Sequence, residues 1–199
     1  MSTAAPEAPV PPLTRIETSR LTLMLAPLEA APRVVAYQRE NWEYLARWSA
    51  PRGSEELSVA NWRRRLEQYA ADERAGTALR LMLFRDRDLS GPILGIVNFT
   101  QIFRGAFQAC YLGYAIDHRF EGRGLMREAL EAAIRHAFDA MKLHRIMVNY
   151  MPSNERSAAL ARRLGFIPEG IARDYLFIDG AWRDHVLTAL TNPAAPKPG

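Results

Sequence analysis

The stretch Arg119-Phe120-Glu121-Gly122-Arg123-Gly124-Leu125-Met126 decides how this chain folds. An apolar, β-like run at 109–116 precedes it, and an amphipathic helical pattern follows it to Met141. Two glycines at this strand-to-helix turn remove the Cβ atoms that would block a ligand, and they permit positive φ. The free N–H groups and the dipole of the following helix favour a negative charge. The stretch therefore predicts an anion site, and a pyrophosphate is the anion that suits it best.

The composition is that of an ordinary globular protein. The chain has 199 residues, of which 48% are hydrophobic and 24% charged, with a formal net charge of +4. This mildly basic balance suits polyanionic partners such as a phosphorylated cofactor or RNA, but it requires neither. The single cysteine, Cys110, excludes an internal disulfide, favours a cytoplasmic location and is interpreted as a small buried hydrophobe. No apolar run is long enough to span a membrane.

One domain and two short tails are expected. Residues 1–12 are rich in alanine and proline and predict a disordered tail without signal-peptide character, and residues 193–199 form a second proline-rich tail. Residues 13–192 are expected to fold as a single domain. Periodicity predicts strands at 21–25, 79–84, 93–99, 109–116, 145–150, 170–178 and 182–190 and helical segments at 29–48, 58–75, 125–141 and 155–164. This order indicates an α+β (mixed α/β) domain whose central sheet is covered by helices.

Further motifs extend the pattern. RxxGxG at 119–124 is followed by a helix, a strand, NxxS at 154–157 and LGF at 164–166. This series resembles the GNAT N-acetyltransferases, whose acyl-CoA pyrophosphate motif has the same glycine spacing. Several runs after residue 93, at 104–107, 109–114, 144–147, 149–152 and 182–190, resemble the branch that acetylates the N-terminal alanine of a small-subunit ribosomal protein. The resemblance implies a GNAT-like fold, with a mostly antiparallel sheet that splays in the middle and is flanked by helices.

The resemblance also implies acetyl-CoA as the cofactor, bound in the splayed wedge. The glycine turn would supply backbone amides and positive charge to the pyrophosphate, and the preceding strand would pair with the pantetheine arm. Asn154 would bond the pantetheine from the following helix. The residues implied in cofactor binding are Tyr114, Ala115, Ile116, Arg119, Gly122, Arg123, Gly124, Leu125, Met126, Asn154 and Ser157.

Acetyl transfer to an amine needs a neutral amine, an oxyanion site and a proton donor for the leaving thiolate. A free α-amino group has a pKa near 7.7–8.0, so a weak base suffices. A backbone N–H in a bulged strand near 114–116 can hold the oxyanion. Many members of the superfamily carry a tyrosine as the acid where this chain has Ala161. Ser157, one helical turn earlier on the same face, is therefore the expected acid.

The general base is left open. A related branch carries a glutamate at the position that aligns with Leu176 here. Asp174, Tyr150 and Asn98 are the remaining candidates, chosen by their expected location. The histidines lack metal-ligand spacing, so no metal site is predicted. The aromatic residues of the first helical region are interpreted mostly as core residues, although they could line a substrate cleft: Trp42, Tyr44, Trp48 and Trp62.

Three functions follow as hypotheses. The resemblance favours transfer of acetyl from acetyl-CoA to the N-terminal alanine of a small-subunit ribosomal protein, by direct attack in a ternary complex. A small-molecule acetyltransferase for polyamines or aminoglycosides would instead need an acidic pocket, which the mildly basic composition of the chain does not indicate. A module that binds ribosomal RNA through its basic surface is the non-enzymatic alternative. The sequence predicts no oligomeric state.

Overall fold

The computed structural model describes residues 12–51, 53 and 57–195. They form an eight-stranded sheet in the order β1-β2-β3-β4-β5-β6-β8-β7, with helices on both faces. The elements are β1 (Arg15–Glu17), β2 (Leu21–Met24), α1 (Ala31–Leu45), α2 (Val59–Arg74), β3 (Leu79–Arg85), β4 (Gly95–Phe103), β5 (Ala109–Ile116), α3 (Leu125–Asp139), β6 (Arg145–Tyr150), α4 (Glu155–Arg163), β7 (Ile167–Ile178) and β8 (Ala181–Thr191). Short 3-10 turns lie at Leu28–Ala30, Ala46–Trp48 and His118–Phe120. The predicted α+β (mixed α/β) class is confirmed.

One parallel contact interrupts the otherwise antiparallel sheet. β5 and β6 pair through only three residue pairs, from Ala109↔Arg145 to Tyr111↔Met147. β5 then continues to Ile116, and β6 runs on to its own end, without further pairing between them. The two strands therefore open into a wedge in the middle of the sheet, which confirms the predicted splayed arrangement.

Helices bury a hydrophobic cluster on each face of the sheet. α3 packs Leu130, Ala133 and Ala137 against one face, and all three are fully buried. On the other face, α1 and α2 enclose a cluster around Phe84 and Leu66 that reaches β3 and β4 but includes no residue of β5–β8. Burying a leucine or phenylalanine contributes roughly 1.5–3 kcal/mol. The cluster on the second face therefore does not extend to β5 and β6, the strands that form the wedge.

Two local features differ from the expectation. β1 was not predicted, because three residues are too few for a periodic signal. The prediction of a bulge in β5 near 114–116 is wrong. β4 and β5 pair regularly from Gly95↔Ile116 through Asn98↔Gly113, and the register shift lies between Thr100 and Phe103. Gln101, with a φ of 50°, occupies that shift on β4. The backbone that faces the wedge is therefore regular strand.

The predicted tails fall almost wholly outside the described residues, which include only Pro12 of 1–12 and only the first three of 193–199. The proposed domain boundaries stay predictions. Cys110 is fully buried, as interpreted, and burial raises the pKa of its thiol to about 12. Within 12–51, 53 and 57–195, no helix is long and apolar enough to cross a membrane. The same residues contain no cluster of three or more side chains suited to a metal ion.

Candidate active site

The wedge between β5 and β6 holds a cavity of about 170 Å³. Strand residues beyond the last β5–β6 pair form much of its wall, and the first turn of α4, a residue of β8 and a tryptophan near the end of the first helical region complete it. The structure thus brings together four residues predicted from different parts of the sequence. The lining residues are Trp48, Leu112, Gly113, Tyr114, Val148, Asn149, Tyr150, Met151, Asn154, Ser157 and His185.

The glycine turn lies at the end of β5 that leads into α3. Gly122 and Gly124 have φ angles of 70° and 74°, and Gly124 is the N-cap of α3 without a side-chain cap. The N–H of Glu128 bonds to the carbonyl of Gly124. The N–H groups of Leu125, Met126 and the next residue therefore have no acceptor within the helix. A Cβ at Gly122 would meet no atom within 4 Å, so the turn is open to a bound anion.

Arg119 is held by carboxylates in this structure. Its guanidinium donates to Asp117 and to Glu40, with Nη2 at 2.6 Å from Glu40 Oε2. Asp117 is fully buried. Burial alone would raise the pKa of Asp117, but the hydrogen bonds from the side chain and backbone of Arg119 hold that pKa below its ordinary value. The predicted positive charge of Arg119 is thus largely offset, and the side chain orders the turn instead.

Other arginines surround the turn. Arg20 donates to the carbonyl of Arg123 at 3.0 Å and pairs with Glu128 at 2.6 Å. The guanidinium groups of Arg85 and Arg123 lie 5.6 and 5.4 Å from the ring centroid of Phe120. Three arginines thus lie against Gly124 or against Phe120 just before it, and together with the open N–H groups they fit a pyrophosphate.

The backbone of β5 turns toward the wedge where β6 no longer pairs with it. The carbonyl of Gln108 accepts from the start of β6, whereas the N–H of Asp117 donates to the residue before β4. Backbone groups alternate in direction along a strand. Counting from Gln108 or from Asp117, the N–H and C=O groups of Tyr114 and Ile116 point to the wedge. Ala115 faces β4 instead. Two residues of β5 therefore offer unpaired backbone groups to an extended ligand.

The first turn of α4 brings a pair of hydroxyls to the cavity. Asn154 is the N-cap of α4, and its side chain accepts from the N–H of Ser157 at 3.1 Å. The hydroxyls of Ser157 and Tyr114 lie 2.9 Å apart. Burial raises the pKa of Tyr114, although the hydrogen bond with Ser157 acts in the opposite direction. Ala161, one turn later, is buried in the core and lies outside the cavity wall.

The candidate bases lie in three different places. Tyr150 lines the wedge. Asn98 lines a separate cavity of about 40 Å³ under α1 and α2, with Trp62. Asp174 is exposed with a φ of 47°, and its N–H donates to Asp184 Oδ1 at 3.0 Å. The register shift in β7 on either side of Asp174 carries its carboxylate away from the cavity wall.

Several residues of the site were missed by sequence reasoning. Trp48 lines the cavity, although it was interpreted with its neighbours mostly as core. Asn149 donates to the hydroxyl of Tyr175 at 3.0 Å, and the ring of Tyr175 lies 5.3 Å from that of His185. Strand alternation could have placed His185 on a common face with the other odd-numbered residues of β8. Only the register between β6 and β8, however, brings that face to the wedge.

Comparison with known proteins agrees with this geometry. Residues 20–167 match the model of the acetyltransferase (GNAT) domain family. The chain therefore belongs to the GNAT acetyltransferases, which confirms the predicted superfamily, fold and class of enzyme. It is 46% identical to the [ribosomal protein uS5]-alanine N-acetyltransferase of Escherichia coli over 182 residues, which is 92% of this chain and 93% of that protein.

Two solved structures are similar over nearly the whole chain. The ribosomal-protein-S5-alanine acetyltransferase of Vibrio fischeri is 33% identical with a TM-score of 0.87, over 92% of this chain and 99% of that one. Mycobacterium smegmatis RimJ, solved in complex with CoA-disulfide, is 25% identical with a TM-score of 0.81 and covers 94% of this chain and 90% of its own. The sequence and structure comparisons thus reach the same branch of the family.

Proposed function

We propose that this enzyme transfers acetyl from acetyl-CoA to the N-terminal alanine of a small-subunit ribosomal protein, by direct attack in a ternary complex. The observation that carries the proposal is the wedge between β5 and β6, whose cavity lies beside the strand that leads into the glycine turn. Near-full-length similarity to uS5-alanine N-acetyltransferases supports the choice of acceptor. A ribosomal acceptor also implies action in the cytoplasm and at least transient contact with the ribosomal protein.

The cofactor-binding residues divide into two groups, one for the pyrophosphate and one for the pantetheine. The open N–H groups after Gly124 and the nearby arginines would hold the pyrophosphate. The free backbone of Tyr114 and Ile116 would pair with the pantetheine as an added strand does, with Asn154 beside it. Acetyl-CoA supplies the acetyl group as a thioester.

The residues of the wedge handle the charges of the reaction. The free N–H groups of β5 can stabilise an oxyanion. The paired hydroxyls of Ser157 and Tyr114 can donate a proton to a leaving thiolate, whose ordinary pKa near 8.5 demands only a weak acid. Ser157 is the expected donor, and Tyr114 can resupply its proton across 2.9 Å.

The acceptor side is neutral and open. Gly113 lines the cavity, is exposed, and leaves open space where a Cβ would point. Among the described lining residues there is no aspartate or glutamate to attract a polyamine. This wall favours a singly charged peptide N-terminus over a polycation.

Acetylation of synthetic peptides tests the proposal. A peptide with the N-terminal sequence of uS5 should be acetylated on its alanine, while the same peptide with a blocked N-terminus should not react. Turnover of spermidine without turnover of the peptide would establish the small-molecule alternative instead. RNA binding without CoA binding would support the non-enzymatic one. Mass spectrometry of ribosomal protein N-termini, with and without the protein, identifies the acceptor in cells.

A further inference from the structure

An acceptor α-amine reaches the cavity mostly as an ammonium at pH 7, because its pKa is near 7.7–8.0. A base must therefore lie where the amine enters. Asp174 and Asn98 lie outside the cavity wall, and Tyr150 lines it with a phenol hydroxyl, whose oxygen is a weaker proton acceptor than an imidazole nitrogen. The described cavity wall contains one imidazole, that of His185, and no carboxylate.

His185 is held in a definite orientation. It is 3% exposed, and its Nδ1 lies 3.0 Å from the carbonyl oxygen of Arg183. A carbonyl can only accept, so Nδ1 carries the hydrogen and Nε2 of the neutral ring keeps its lone pair. Because Nδ1 is occupied by the backbone of its own strand and the residue lines the cavity, Nε2 is the ring nitrogen left for a ligand. The ring of Tyr175 packs against it at 5.3 Å.

His185 and Ser157 approach the cavity from opposite faces of the sheet. Val148 belongs to the cluster that includes Ala161 of α4, so even-numbered β6 residues face α4. Asn149 lies on the other face, and its register partner is Leu187. Alternation places His185 on that same face. When an amine attacks a carbonyl from one side and the leaving group is protonated on the other, the base and the acid must lie on opposite sides, as His185 and Ser157 do.

We propose that His185 is the general base that takes a proton from the acceptor amine, an inference that rests on the proposed acetyl transfer. The N–H bond of the ammonium breaks, its electron pair stays on nitrogen, and a new bond forms between the proton and Nε2. An ammonium loses two protons on becoming an amide. Nε2 takes the first before the C–N bond forms and the second as the C–S bond breaks, and it passes each to water. The departing sulfur keeps the electron pair of the C–S bond and takes the hydroxyl proton of Ser157, which water restores through Tyr114.

Among the described residues, no carboxylate lines the cavity wall beside His185. Asp184, its neighbour in sequence, follows the other face of β8 and is bound by the N–H of Asp174 and by the guanidinium of Arg173. The charged and titratable groups that flank or share the cavity with the ring are Tyr175 on β7, Tyr114 on β5, Tyr150 on β6, and Arg183 and Asp184 on β8.

Kinetics across pH test the proposal. His185→Gln keeps an N–H donor for the carbonyl of Arg183 but has no base, and His144→Gln replaces an exposed histidine as the control. At pH 7, kcat/KM of His185→Gln for an alanine peptide should fall about 10²-fold. The loss should shrink toward pH 9, where most of the amine is already neutral. KM for acetyl-CoA and thermal stability should match the control.

A loss that is equal at every pH, or no loss, overturns the role of His185 while the wild-type activity stands. Failure of wild-type protein to acetylate the peptide overturns the proposed function instead. A readout independent of activity and of any variant is ¹⁵N NMR of histidine-labelled wild-type protein. It should show the neutral ring of His185 protonated on Nδ1, and its Nε2 signal should shift when the peptide is added. A neutral ring protonated on Nε2 contradicts the proposal.

Discussion

The two sides of the wedge differ in charge and in construction. The cofactor side is made of one contiguous turn and helix start, with arginines and carboxylates held close together around unpaired N–H groups. The acceptor side is made of single residues from separate strands and a loop, and its described wall is neutral and partly aromatic. The difference indicates that cofactor binding depends on backbone conformation at one place, whereas the choice of acceptor depends on several side chains held by strand register.

The largest expected effect follows from forcing a side chain onto the cofactor turn. Gly124→Val strains a backbone with a φ of 74° and places a branched side chain toward Arg20. We expect the Kd for CoA, measured by calorimetry, to rise about 10²-fold, equivalent to ~2.7 kcal/mol. Gly105→Val is the matched control, since Gly105 has a φ of 65° and open space around it. An equal loss of CoA affinity in both variants would contradict this role of the turn.

On the acceptor side, a single methyl group should separate the two functions. Gly113→Ala fills open space in the cavity, so kcat/KM for the alanine peptide should fall about tenfold, at ~1.4 kcal/mol per decade, with unchanged affinity for CoA. Gly170→Ala in β7, also a strand glycine with open space, is the control. Both changes should leave thermal stability equal or higher. A fall in CoA affinity with unchanged peptide kinetics would assign Gly113 to the cofactor side and contradict the prediction.

The paired hydroxyls lie where the two sides meet. Ser157→Ala should lower kcat by about tenfold only, since Tyr114 remains within reach and a thiolate is a good leaving group. The double variant with Tyr114→Phe should lose more than the product of the two single changes. Ser153→Ala, in the exposed turn before α4, is the control. Single-turnover rates check the order, and a Ser157→Ala enzyme as fast as wild type would remove the serine from the mechanism.

The last effect falls on stability and leaves the chemistry untouched, and it concerns the carboxylate of Glu128, which ties the turn between β1 and β2 to the start of α3. Burial would raise the pKa of Glu128, but hydrogen bonds from Thr18 and Arg20 lower it to about 2. A depressed pKa stabilises the fold above the unfolded value near 4.5, and this contribution is lost as pH falls toward about 2. We expect it to be worth about 1–2 kcal/mol after solvent screening.

Glu128→Gln should therefore be less stable than wild type at pH 7 in urea unfolding, and the difference should narrow below pH 4. Glu131→Gln, on the exposed side of α3 in a pair with Arg127, is the control and should change stability little. If the free energies of unfolding of wild type and Glu128→Gln differ by a constant amount from pH 7 to pH 3, the depressed pKa of Glu128 is not the source of the stabilisation.

The part of the site that could be predicted from the sequence follows the division between the cofactor side and the acceptor side. Gly122, Gly124 and the cap at Asn154 were predictable because a turn and a helix start are encoded by neighbouring residues. Asp174 was chosen by its expected location alone, and the irregular register of β7 around it was not predictable from neighbouring residues. Arg20 and His185 left no local signal, since each joins the site through pairings between segments far apart in the chain.

The three-pair contact between β5 and β6 has a consequence for the dynamics of the molecule. It is the only backbone pairing between described strands β1–β5 and β6–β8, so the sheet consists of two cooperative units joined by a narrow seam. The amides of Tyr114 and Ile116 should exchange with deuterium rapidly in the free enzyme. A ligand that pairs with them spans the seam, and its binding would slow exchange in both units at once.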